Sequence, residues 1–132
     1  IMNIGEVAKA SGVSAKMVRH YEGSGLIRPA TRSGSNYRTY SQNDVEVLRF
    51  VKRARTLGFA MKQIATLLAL WEDRSRPSSE VKQLARQHIA ELNARIAELT
   101  GMRDTLEHLA RHCRGDSRPE CPILEGLAAS RH

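Results

Sequence analysis

Cysteine is scarce, with two residues in 132. That excludes a disulfide scaffold and leaves a pair suited to metal or redox chemistry in a reducing compartment. Aromatic residues make up 5%, so any core must be aliphatic. No apolar run approaches the length needed to span a bilayer. No basic segment followed by an apolar stretch opens the chain, so a secretory signal is not expected and a cytoplasmic location is. Proline occurs only at positions 29, 77, 119 and 122, which leaves one long stretch free to be a single helix. No Ser-His-Asp pattern, Walker loop or paired catalytic carboxylates stand out, and the cysteines lack the C-x-x-C spacing of a thiol oxidoreductase. An enzyme is not expected.

Acidic residues are short in one half only. Residues 1–62 hold 11 Lys and Arg against 4 Asp and Glu, which accounts for the whole formal charge of +7. Residues 63–132 balance at 10 of each. A basic module joined to a neutral one suggests a polyanion-binding head carrying a second, sensing or protein-binding part.

Helical punctuation fits that division. Asn3, with Glu6 three residues on, makes a capping box for a helix through Ala10. Ser11-Gly12-Val13 reads as a turn, and Ser14 caps a second helix over Ala15–Glu22. Two short helices about a glycine turn form a helix-turn-helix. Extended pieces near Leu26–Arg28 and Tyr37–Thr39 flank a polar tip, which predicts a basic hairpin able to lay Arg32 and Arg38 along phosphates. Tyr40 is expected in the core. Ser41 caps a third helix ending at Gly58, and a fourth covers Met61–Trp71. The polar linker Glu72–Ser79 ends the head.

From Ser79 to about His112 the pattern is helical throughout. Ala85, Ile89, Leu92, Ile96, Leu99, Leu106 and Ala110 form a near-heptad stripe. A stripe this narrow over this length asks for a partner helix, so a homodimeric coiled coil is expected. The helix runs into Cys113, and Cys121 follows after seven residues containing Gly115 and Pro119. That loop can bring two soft thiolates together, a pair that favours Cu(I)- or Zn-like ions. His108 and His112, one helical turn apart, leave open a four-ligand zinc site with both cysteines. A thiol-redox sensor on the same pair also stays open. The expected architecture is mainly α: a winged helix-turn-helix DNA-binding domain over 2–73 with a small β-hairpin wing, a dimerisation helix over 78–112, and a metal-binding loop with a short helix over 113–132.

Ile4-Gly5-Glu6-Val7-Ala8, Val18-Arg19-His20-Tyr21-Glu22-Gly23-Ser24-Gly25-Leu26-Ile27, Asn36-Tyr37-Arg38-Thr39-Tyr40 and Leu57-Gly58-Phe59 resemble the MerR family of transcriptional regulators. The loop Cys113…Cys121-Pro122-Ile123-Leu124 is similar to that of its copper-efflux branch. The resemblance implies a dimer on double-stranded promoter DNA that distorts an overlong spacer when Cu(I), Ag(I) or Au(I) binds, so that RNA polymerase can read both promoter boxes of copper-efflux genes. It implies Cys113 and Cys121 as ligands and DNA roles for Arg19, Tyr21, Tyr37 and Arg38. Position and charge add Lys16, His20 and Arg32. Divalent-sensing branches of the family carry a cysteine where this chain has Ser78, which implies a monovalent ion with Ser78 beside its site.

Overall fold

Side-chain caps start three of the first four helices in the computed structural model, which describes residues 2–32, 34 and 37–129. Asn3 Oδ1 accepts from the Glu6 amide at 2.8 Å and Glu6 Oε1 from the Asn3 amide at 3.1 Å, opening α1 (Ile4–Ser11). Gly12, at φ 75°, closes it in the left-handed conformation that glycine adopts without a Cβ penalty. Ser14 caps α2 (Ala15–Gly23) through the Met17 amide at 3.2 Å. Ser41 and Asp44 form a second capping box at the start of α3 (Gln42–Thr56). Ala60 has no capping group, and the Gln63 side chain accepts from its amide at 2.7 Å to open α4 (Met61–Glu72). Then come α5 (Ser78–Arg111) and α6 (Pro122–Ala128).

The hairpin differs from expectation. Its first strand is not Leu26–Arg28 but β1 (Thr31–Arg32), paired antiparallel with β2 (Arg38–Thr39) so that Thr31 faces Thr39 and Arg32 faces Arg38. The amides of Leu26 and Ile27 both turn back to the Tyr21 carbonyl, at 3.0 and 3.4 Å, and Ile27 is buried. Pro29 has no amide to offer a ladder. Pairing therefore begins only after it. The expected polar tip at Ser33, Ser35 and Asn36 lies outside the described residues. Met2 and Tyr40 exchange both backbone hydrogen bonds, at 2.9 and 2.8 Å, and so tie the chain's start to the end of the wing.

The chain divides into two compact units, 1–81 and 82–132, with the boundary inside α5 rather than in the polar linker. In the first, Val7, Val18, Tyr21, Tyr40, Val45, Leu48, Val51 and Ile64 form an aliphatic core closed by two tyrosines. Arg49 reaches across to the carboxyl end of α1, donating to the Ala10 carbonyl at 2.8 and 3.2 Å, and so satisfies an end-of-helix acceptor. In the second unit the expected stripe lies bare along α5: Ile89, Ile96, Leu99 and Leu106 are each more than half exposed. Among the described residues no helix is long and apolar enough to cross a membrane.

Candidate nucleic-acid interface and thiol pair

Arg19 of α2, Arg32 of β1, Tyr37 just before β2 and Arg38 of β2 line one groove of about 540 Å³ together with Asn3 and Ile4. Four of the residues assigned to DNA from the sequence thus meet on one surface. Lys16 and His20 are exposed on α2 but do not line this groove. Tyr21 is 5% exposed and sits in the core, so packing accounts for nearly all of its surface.

Arg38 is held from below. Its Nη1 lies 3.8 Å from Glu22 Oε1, and its side chain is only 32% exposed. Glu22 also accepts a hydrogen bond from the Tyr40 hydroxyl and one from the Ala30 amide at 3.2 Å. One carboxylate at the end of α2 therefore fixes three points of the wing. Burial, and then the Glu22 carboxylate, push the Tyr40 phenol up to about 12. Glu22 was missed in the sequence. The signal was available: an acid in the last turn of a helix opposes the helix dipole and needs a reason to be there.

Cys113 follows α5, its amide donating to Ala110 at 3.1 Å. Gly115, at φ 66°, turns the chain. Asp116 accepts from the Arg118 amide at 3.0 Å and from its guanidinium at 2.7 and 2.9 Å, an Asx turn locked by an ion pair. The Arg118 contacts hold the Asp116 carboxyl below the usual carboxylate range. Cys121 then stands at the amino end of α6, with Pro122 in the first turn where its missing amide costs nothing. The two half-buried sulfurs come within 3.7 Å and are not bonded. The Leu124 amide lowers the Cys121 thiol pKa against the opposing effect of burial, and Cys113 and the Ile123 amide lower it further.

The pair suits a soft ion. Cys113 and Cys121 would hold such an ion between their thiolates. Among the described residues no group of three or more His, Cys, Asp or Glu is placed to hold a metal. The four-ligand zinc site weighed from the sequence is therefore not formed within the chain. The His108 and His112 rings instead lie next to each other at a tilt of 49°, with centroids 4.4 Å apart. Ser78, the first residue of α5, belongs to the other compact unit.

Residues 2–71 match the family described as MerR HTH family regulatory protein, and residues 45–109 the one described as MerR, DNA binding. The heavy metal-dependent transcription regulator 2 of Rhizobium meliloti is 62% identical over 127 residues, covering 96% of this chain and 86% of that protein. The HTH-type transcriptional regulator CueR of Salmonella typhimurium is 40% identical over 131 residues, covering 99% and 95%. Among solved structures, the regulator PbrR691 of Ralstonia metallidurans in complex with lead(II) superposes with a TM-score of 0.83 at 32% identity, covering 96% and 99%. With family matches running from residue 2 to residue 109, the chain belongs to the MerR family of helix-turn-helix transcriptional regulators and is not an enzyme.

Proposed function

We propose that the protein is a metal-gated transcriptional activator. It binds promoter DNA as a dimer, and a monovalent coinage-metal ion on Cys113 and Cys121 converts the bound complex to one that RNA polymerase can use. The observation that carries this reading is the approach of the two sulfurs to 3.7 Å in a loop closed by its own hydrogen bonds. The bare apolar stripe of α5 supports the dimer, and the groove shared by Arg19, Arg32, Tyr37 and Arg38 supports the DNA contact. The heavy-metal dependence named for the Rhizobium relative supports the metal.

Charge favours a monovalent ion. Two thiolates carry two negative charges, and Cu(I) or Ag(I) leaves one, beside the amides that already face Cys121. Zinc ordinarily takes four ligands, and this loop supplies two. The lead(II) complex of PbrR691 makes divalent ions the contrast to test. In transcription from the cognate promoter, buffered Cu(I) and Ag(I) should activate and Zn(II), Cd(II) and Pb(II) should not. Cys113→Ser and Cys121→Ser should each bind the promoter like the parent in gel shifts and fail to activate. Strong activation by Zn(II) or Pb(II) overturns the monovalent reading, and loss of DNA binding in the metal-free variants overturns the modular one.

A thiol-redox reading of the same pair draws on the same short approach and the lowered Cys121. Two-electron oxidation would join the sulfurs in one disulfide. Activation by an oxidant without metal, reversed by a thiol reductant, selects that reading.

A further inference from the structure

Outside the thiol loop, His108 and His112 are two imidazoles already drawn together. His108 and His112 stand four apart on α5, the spacing that puts two side chains on one helix face. Their rings are exposed and 4.4 Å apart between centroids. His112 Nδ1 lies 2.7 Å from the His108 carbonyl oxygen. A carbonyl can only accept, so Nδ1 carries the proton, and in the neutral ring Nε2 keeps its lone pair. The backbone thus sets the tautomer in which a histidine ligates through Nε2. The contact lies in the last turn of α5. The same helix end places the negative pole of a 34-residue helix beside the two rings, which favours a cation there.

The pair does not face the apolar stripe. At 3.6 residues per turn, positions 108 and 112 lie about 200° around the helix from Leu106 and Ala110. A second copy packed on the stripe would leave them in solvent.

We propose that His108 and His112 form a second metal site, for a borderline divalent ion that prefers imidazole, such as Cu(II), Ni(II) or Zn(II), separate from the thiol pair and not required for its response. Two imidazoles at this spacing chelate one ion, and water completes its coordination. The chain then holds two classes of metal, a soft ion between the sulfurs of the loop and a borderline one between nitrogens at the end of α5.

The test uses the untagged full-length chain with Cys113→Ser and Cys121→Ser, titrated with Cu(II) and followed by calorimetry and electron paramagnetic resonance. The expected result is one ion on two nitrogen ligands, with affinity falling roughly tenfold or more in His108→Gln and in His112→Gln. Unchanged Cu(II) affinity in both variants overturns the site. This arm contains no thiol, so its result stands whether or not the proposed function holds. In the second arm, the chain with both cysteines and with His108→Gln and His112→Gln together should keep the transcriptional response to Ag(I). Loss of that response joins the histidines to the thiol site and overturns their independence.

Discussion

Glu22 sits at the wrong end of its helix for an acid, and the wing explains why. It receives the Tyr40 hydroxyl, the Ala30 amide and the Arg38 guanidinium. Its partners are 8 to 18 residues away, so no local pattern announced them. Tyr40, by contrast, was expected in the core, and it is 3% exposed. Glu22→Gln keeps the shape but removes the charge that holds Arg38 and accepts the phenol. It should cost about 1.5–3 kcal/mol in denaturant unfolding, the usual worth of hydrogen bonds to a charged group, and weaken promoter binding by loosening the wing. The phenol adds a pH signature. Its folded pKa is raised from 10.0 to about 12. Its contribution is therefore fully present below pH 10 and is lost as the pH rises through the folded value, because the native state then holds the proton more tightly than the unfolded chain. Tyr40→Phe should be less stable than the parent at pH 9, and the gap should close toward pH 12. A constant gap across that range would place the raised pKa elsewhere.

At the scale of elements, what was legible was what is local. The caps at Asn3, Ser14 and Ser41 act over three residues and lie within one residue of where the pattern put them. So does the start of α5, and the loop that joins the sulfurs is built from its own glycine and Asx turn. The first strand was misplaced because its position depends on Tyr21 capturing two amides and on Met2 pairing with Tyr40 across the fold. The packing of α6 was equally invisible. Gly126 lets that helix lie close to α5: a Cβ there would come within 2.8 Å of Leu109 Cδ2. Because α6 supplies the amides that face Cys121, its seat and the thiol pair are one structure. Gly126→Val should overpack this contact at a cost of roughly 1–3 kcal/mol and shift α6 outward. Ag(I) should then bind more weakly in competition titrations, while promoter binding by the metal-free protein stays as it was. Unchanged Ag(I) affinity would mean that α6 does not help to hold the site.

Across the whole molecule, charge and chemistry are divided between the two units. The excess of +7 lies in residues 1–62, and the two thiols lie in the neutral remainder. The asymmetry was plain in the sequence because counting charges needs no contacts. How deeply each arginine is held by the fold was not, because Arg32 and Arg38 are equivalent in a hairpin pattern. Their settings in the structure differ. Both line the groove beside Arg19, but Arg38 is two-thirds buried against Glu22 whereas Arg32 is exposed. Removing a phosphate contact reduces the dependence of log affinity on log salt by roughly 0.9 per contact. A dimer presents each arginine twice, so Arg32→Ala should shallow that slope by roughly two units. Arg38→Ala should shallow it similarly and also lower Tm, since Glu22 is left without its cation in a mostly buried place. Filter-binding titrations from low to moderate salt, with thermal unfolding of the same samples, test both. If Arg32→Ala left the slope unchanged, the groove between α2 and the wing would not be the face that meets the DNA backbone. If Arg38→Ala left Tm unchanged, the Glu22 contact would not be what holds the wing in place.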